Sequence, residues 1–439
     1  MFKETSKELL DFLSKSPTAF HAVENYRQIL NADGFKELLE SEHWDIVPGG
    51  KYYVTRNNTS ILAFKVGTKL DNYSFNIVTS HTDSPTFKVK ENAEIEVKNK
   101  YTQLNTEGYG GMLCATWLDR PLSIAGRVLV SEGNSIVTKL LNIDRDLLMI
   151  PNVAIHMNRA ANDGFKYNLQ VDMLPLLSGG DDRQKDFKQI IADELGVKKE
   201  DILGHDLYLY NRMAPSIWGA NEEFISAGHL DDLQCGFASL KALLAGYNDE
   251  SIDIMACFDN EEVGSGTKQG ADSTLLRDTL IRINNALGKT EEDYHRALAS
   301  SFMLSADNAH AVHPNHPEHT DVTNCTYMNE GVVVKSHAGQ KYTSDGVSMA
   351  VVKSLASGAD VPLQYFANRS DKAGGSTLGN IAMAQASMNA VDIGLPQLAM
   401  HSSYETAGIK DTYYAISLMK ALFDSHIQET STHSLEIKR

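Results

Sequence analysis

Apolar positions near the N-terminus recur at helical spacing: Leu9, Leu10, Phe12 and Leu13, then Phe20, Ala22, Val23, Tyr26 and Leu30. Ser16-Pro17 divides them, so two helices are predicted. Short apolar runs at Ser60 to Val66 and Ser74 to Ser80 read as strands. From Phe87 to Ile225 the pattern changes to alternation, as in Phe87 with Val89 and Ile95 with Val97, which predicts half-buried strands. Polar punctuation such as Ser178 to Asp182 breaks this stretch. One helix is predicted within it, from about Gln184 to Leu195, closed by Gly196. Beyond Ile225, helix and buried strand alternate. Leu233 to Leu244 reads as a helix. Ile252 to Phe258, Phe302 to Leu304, Val332 to Lys335, Leu363 to Phe366 and Leu395 to Met400 read as strands. The expected fold class is α/β, with a mostly parallel sheet. Both chain ends, residues 1–86 and 226–439, build that domain, and residues 87–225 form a β-rich insertion.

Chemistry collects where the apolar runs end. Phe75 to Val78 leads into His81 and Asp83, and Ile254 to Phe258 leads into Glu261 and Glu262. Phe302 to Leu304 leads into Asp307, and Leu395 to Met400 into His401. Asp231 and Asp232 stand just before a helix. In open α/β sheets the carboxyl ends of strands are where ligands bind. His81, Asp231, Glu262, Asp307 and His401 offer mixed nitrogen and oxygen donors, which suit zinc, and also cobalt or manganese. Two histidines and three carboxylates exceed the needs of one open catalytic zinc, and suit two metals bridged by a carboxylate. Asp83, two residues beyond His81, can accept the imidazole N–H and fix its tautomer. Glu261 and Glu262 point opposite ways on extended backbone, so one can bind metal while the other serves as general base toward the attacking water.

Charge and cysteine usage narrow the partners. The 439 residues carry 40 Lys plus Arg and 57 Asp plus Glu, a net charge of −17, which excludes an electrostatic grip on nucleic acid or anionic membrane. No apolar run is long enough to span a bilayer, and Met1 to Leu10 lacks the apolar core of a signal peptide. Cys114, Cys235, Cys257 and Cys325 are scattered and fit a reducing cytoplasm.

At these residues the sequence resembles the aspartyl aminopeptidases and their bacterial relatives, dinuclear zinc exopeptidases. The matching stretches cover nearly the whole chain: His81 to Pro85, Tyr109 to Gly111, Thr116 to Arg120 with Ala125 to Val128, Leu230 to Asp232, Asp259 to Gly264, Ser305 to Asp307, Ala309 to Asn315 and Pro396 to Ser402. The resemblance implies a zinc-exopeptidase catalytic domain with a dimerisation insertion. It implies one metal on His81, Asp231 and Asp307, and another on Asp231, Glu262 and His401. It further implies Glu261 as base, and His310, Lys335 and Tyr342 as substrate contacts. His156 matches a histidine that relatives reach across from a neighbouring subunit, and is assigned to substrate. Peptide is the implied substrate, with acidic N-terminal residues preferred, and dimers assembling to a homododecamer the implied oligomer. Asp232, Tyr404 and Asp371 to Ser376 depart from the family's usual residues, which bears on substrate preference. A broader aminopeptidase or a metal-dependent amidohydrolase uses the same residues. A silent binding protein is opposed by the intact Glu261 and ligand set.

Overall fold

The computed structural model describes residues 1–180 and 186–439. Its main sheet has nine strands in the order Lys36–Leu38, Lys51–Arg56, Ser60–Val66, Ser251–Phe258, Ser74–His81, Phe302–Ala306, Asn389–Gly394, Val332–Lys335, Leu363–Phe366. The central neighbours, from Ser251–Phe258 through Asn389–Gly394, run parallel. Antiparallel pairs join Ser60–Val66 to each of its neighbours and Val332–Lys335 to Asn389–Gly394. Ser74–His81 and Ser251–Phe258 are buried at every residue. That explains their unbroken apolar runs: a sheet covered on both faces has no polar side.

One face carries the helices Phe2–Ser14, Ala19–Ala32, Leu230–Ala245, Gly346–Gly358 and Asp411–Phe423, packed on Val78, Met255, Leu304 and Val391. The other carries Leu275–Ala286, Glu291–Ala299 and Leu378–Gln385, packed on Phe75, Ile254 and Met303. Cores of this size bury tens of side chains, each worth roughly 1.5–3 kcal/mol against exposure.

Between the two halves stands a six-stranded, wholly antiparallel sheet, ordered Ser135–Asn142, Leu122–Glu132, Ile202–Asn211, Thr86–Val97, Tyr101–Tyr109, Leu176–Gly179. Its helix spans Phe187–Leu195. Asp186 caps it by accepting the Gln189 N–H at 2.6 Å, and Gly196 ends it at φ 63°. The first residues predicted for this helix, Gln184 and Lys185, lie outside the described residues, as do Asp181 and Asp182 of the preceding polar stretch. A smaller sheet joins Ser216–Trp218, Phe224–Ala227, Glu405–Gly408, Pro396–Leu398 and Ala309–His310.

That small sheet corrects one expectation. The apolar run Leu395 to Met400 is not a strand of the main sheet. Asn389–Gly394 takes that place, and the chain turns at Leu395 so that Pro396–Leu398 enters the small sheet. At the turn, a Cβ on Gly394 would sit 2.1 Å from the Asp307 carbonyl, so only glycine permits the approach.

Candidate active site

The strand ends deliver the side chains. His81 is the last residue of Ser74–His81, and Asp307 directly follows Phe302–Ala306. Glu261 and Glu262 stand on a single 3-10 turn beyond Ser251–Phe258, entered through left-handed Asn260 at φ 61°. Asp231 and Asp232 open the Leu230–Ala245 helix with non-helical backbone. His401 occupies the turn between Pro396–Leu398 and Glu405–Gly408, with φ 66°.

Ligand-capable atoms of His81, Asp231 and Asp307 lie within 4.8 Å of one another, and so do those of Asp231, Glu262 and His401. Asp231 is common to both groups. Its Oδ1 is 3.4 Å from His81 Nε2, and its Oδ2 is 3.6 Å from His401 Nε2. Glu262 Oε2 is 3.3 Å from the same His401 nitrogen. Glu261 joins His81 and Glu262 in a third grouping. Buried Asp231 Oδ1 and Glu262 Oε1 accept no hydrogen bond. Buried acceptors left unpaired are costly, and Asp231 Oδ1 faces His81 Nε2 across a gap of 3.4 Å that a cation would fill. The residues present therefore fit divalent metal ions of the zinc, cobalt or manganese type.

Backbone and side-chain contacts hold these groups in place. His81 Nδ1 lies 3.0 Å from the Asp83 carbonyl and 3.5 Å from its carboxylate, so Nδ1 carries the proton and Nε2 is the free donor atom. His401 Nδ1 donates to the Gly111 carbonyl at 2.7 Å, with the same effect. The Asp83 carboxylate accepts from the Glu261 and Glu262 N–H groups at 3.1 and 3.2 Å, and from the Tyr109 hydroxyl at 2.6 Å. Asp232 turns away from Asp231 and accepts the His81 N–H at 3.2 Å. Glu405, buried, accepts the Asp231 N–H at 3.0 Å and the His401 N–H at 2.8 Å. Gly110, at φ 75°, lets the insertion pass over Glu262, where a Cβ would meet the Glu262 Cβ at 3.1 Å.

So many acids in one place perturb each other. Burial, with the Asp307, Asp83 and Asp231 carboxylates, pushes Glu261 up to about 8. Burial and Asp231 push Glu262 well up, and burial also raises Asp307. Burial works against ionised Asp231 too, but the nearness of His81 at 3.4 Å, with His401 and Lys335 beyond it, outweighs burial and holds its carboxyl low. Burial likewise opposes charge on His81, yet Asp231 and Asp83 raise it well above an ordinary imidazole. Three of these carboxyls thus resist ionising beside one another, a repulsion that a bound cation would relieve.

Lys335 is buried beside this group. Its Nζ donates to the Asn308 carbonyl at 2.8 Å, lies 3.9 Å from Asp307 Oδ1, and sits 5.6 Å from the Tyr342 ring centre. Burial alone would lower its pKa, but Asp307, Tyr342 and Asp392 raise it, so it is charged. Tyr342 packs with Ala309, Val333 and Phe366, and the His310 ring stands edge-on to Phe366 at 6.0 Å. His156 is not gathered with them. It is exposed on the loop after Ile150, between the exposed apolar side chains Val153, Ile155 and Met157. Tyr404 points away from the ligands, its hydroxyl donating to the Ala214 carbonyl at 2.7 Å and lying 3.0 Å from Ser216 Oγ. Asp371 forms a fork with Arg369 at 2.9 Å.

Glu405 and the Tyr109 hydroxyl are positioning groups that residue pattern alone does not reveal as such. Glu405 stands four residues past His401 at the head of an apolar strand, the one local hint it offers.

A mostly parallel α/β sheet that collects imidazoles and carboxylates at one edge, in groups whose donor atoms suit divalent cations, defines a metal-dependent hydrolase. The chain belongs to the aminopeptidase I zinc metalloprotease (M18) family, whose model it matches over residues 12–423. A probable M18 family aminopeptidase 2 of Clostridium novyi is 48% identical over 425 residues, which are 95% of this chain and 98% of that relative. The structure of the Ape4 and Nbr1 complex contains a chain that superposes with a TM-score of 0.93 at 35% identity, covering 96% of this chain and 86% of that one. The S. cerevisiae mApe1 dodecamer superposes with a TM-score of 0.83 at 28% identity, covering 96% and 97%. The protein is an aminopeptidase of the zinc metalloprotease class.

Proposed function

We propose that this aminopeptidase uses two divalent metal ions, zinc first with cobalt or manganese as substitutes, to remove N-terminal residues from peptides. The observation that carries this reading is Asp231, whose two oxygens face His81 on one side and His401 on the other. His81, Asp231 and Asp307 would hold one ion, and Asp231, Glu262 and His401 the other. When bound, such a pair polarises the scissile carbonyl and acidifies the attacking water. Glu261 takes that water's proton as its oxygen adds to the carbonyl carbon. It then gives the proton to the leaving nitrogen as the C–N bond breaks, which frees the N-terminal amino acid. Burial and the neighbouring carboxylates push the Glu261 carboxyl up to about 8, and cations held by the adjoining triads would favour its ionised, basic form. Asp83 keeps Glu261 and Glu262 in register by holding both of their N–H groups.

The substrate preference we propose is for acidic N-terminal residues, with Lys335 as their positive partner. His310 and Tyr342 complete the pocket, and His156 is supplied by a neighbouring subunit. A second reading has one observation in its favour: Lys335 already balances Asp307, so it can serve the metal ligand rather than a substrate carboxylate, giving broader specificity. The oligomer we propose is closed, dimers assembling to a dodecamer like that of the structurally similar S. cerevisiae mApe1. The exposed apolar residues beside His156 support a subunit contact there. The four free thiols fit a reducing cytoplasm, and no helix among the described residues is long and apolar enough to cross a membrane.

The test is Glu261→Gln with metal analysis. The variant should keep both ions of the catalytic centre, binding as many per chain as the wild type, and lose about 10²–10⁴-fold in kcat. Wild-type turnover, or at most one ion per wild-type chain after loading, would refute the reading.

A further inference from the structure

Among the described residues, one other group of metal-capable side chains comes together away from the sheet edge: His316, Glu318 and His319. They lie on the loop that leaves His310. The loop folds back so that Thr326 Oγ1 donates to the His310 carbonyl and the Val312 N–H donates to the Thr326 carbonyl at 2.8 Å. Within it, Pro317–His319 forms a single 3-10 turn started by proline. The His316 N–H donates to the His313 carbonyl at 3.0 Å, the His319 N–H to the His316 carbonyl at 3.2 Å, and the Thr320 hydroxyl to the Pro317 carbonyl at 2.7 Å. From outside, Arg369 holds the Glu318 carbonyl while it grips Asp371. The backbone that carries these side chains is therefore tied on both sides, although the side chains themselves are exposed.

Their spacing is that of ligands. Glu318 Oε1 lies 3.1 Å from His316 Nδ1 and 3.9 Å from His319 Nε2. Tetrahedral donors at the usual zinc distances of about 2.0–2.1 Å stand about 3.4 Å from one another, so the two observed gaps bracket the required one. The His316 and His319 rings lie 5.5 Å apart at 32°, and the His313 ring follows at 5.3 Å from His316. Two imidazoles and a carboxylate are the donors that zinc and its transition-metal neighbours choose, and three of them leave a fourth position open to water or another ligand.

We propose that His316, Glu318 and His319 form an accessory site for a divalent transition metal, distinct from the catalytic centre. Bound there, the ion would fix the His316–His319 turn, whose Glu318 carbonyl Arg369 already holds. The site adds one ion to those of the proposed catalytic centre.

The test counts zinc. Full-length, tag-free protein is stripped with chelator and dialysed against buffered zinc at micromolar free concentration. Zinc per chain is then measured for the wild type, for His316→Ala/His319→Ala and for Glu318→Gln. The double variant should bind one zinc fewer per chain, with unchanged peptidase activity when the catalytic centre is saturated. Glu318→Gln, which preserves the shape of the turn, should need about tenfold more free zinc to fill the same site. Because the readout is a difference between proteins, it stands whether the catalytic centre holds one ion or two. Equal stoichiometry in wild type and double variant would overturn the proposal, as would a difference that arises only at millimolar zinc.

Discussion

The hydroxyl of Tyr109 is a single group through which the insertion reaches both glutamates of the candidate site. It donates to Asp83 Oδ2 at 2.6 Å and accepts from Asn260 Nδ2 at 2.8 Å, while Asp83 holds the N–H groups of Glu261 and Glu262. Tyr109→Phe removes one oxygen and leaves the ring, which stands edge-on to Tyr208 at 5.7 Å. A hydrogen bond to a charged group is worth about 1.5–3 kcal/mol, or roughly 10- to 150-fold at about 1.4 kcal/mol per tenfold. Tyr109 is half-buried, so water can replace part of the bond, and the lower end applies. The expected result is a fall in kcat of about tenfold at saturating zinc, with KM changed by less than about threefold, because the loss falls on the placement of Glu261 rather than on substrate binding. The assay is steady-state hydrolysis of aminoacyl reporter substrates, with zinc content measured on the same samples. Tyr101→Phe is the control: Tyr101 begins the same strand and is 52% exposed. A Tyr109→Phe enzyme with wild-type kcat, or an equal loss in Tyr101→Phe, would refute this account.

Three further outcomes are expected. Glu405→Gln should weaken zinc binding by about 10- to 100-fold in chelator competition, because one of the two N–H groups holding Asp231 and His401 loses its acceptor; unchanged affinity would remove Glu405 from the site. Lys335→Ala should lower the ratio of aspartyl to leucyl kcat/KM by about 30-fold or more if its charge meets the substrate, whereas equal losses would assign it to Asp307. Asp253 is buried, and burial pushes its carboxyl up to about 8 despite hydrogen bonds from Ser251 and Asn76. The folded state therefore keeps a proton that the unfolded chain has released above about pH 4, so this group costs stability increasingly as pH rises from about 4 to 8. The advantage of Asp253→Asn over wild type should grow by about 2 kcal/mol from pH 6 to pH 8, as read by denaturant unfolding; a pH-independent difference would contradict the assignment.

Much of the fold is legible in the sequence wherever burial is uniform. Ser74–His81 and Ser251–Phe258 are covered on both faces, so their apolar runs stand out and the ligand-type residues at their ends with them. Asn389–Gly394 is the opposite case. Asp392 breaks its apolar pattern, and its charge is tolerated only because Ser305, Thr343 and Thr377, from distant segments, donate to it. The eye is then drawn past it to Leu395. Positioning groups are harder still. Glu405 reads as an ordinary acid at the start of a strand, and its partner Asp231 lies 174 residues away. Tyr109 is visible as part of a motif, but its link to Asp83 arises only when the insertion's first hairpin returns to the sheet edge. Asp83 itself offers His81 its carbonyl at closer range than its carboxylate, a detail that depends on the turn and not on the spacing.

The chain order of the site has a consequence for synthesis. Proteins emerge N-terminus first and fold as they lengthen. His81, Asp231, Glu262 and Asp307 are all made before Asn389–Gly394 takes its place in the sheet, and His401 and Glu405 come only after it, followed by the Asp411–Phe423 helix that closes one core. A ribosome-bound or truncated chain therefore lacks the last imidazole and the carboxylate that fixes it. On the proposed ligand assignment, hydrolytic competence waits until His401 has joined the site, so a copy still short of that residue cannot trim its neighbours.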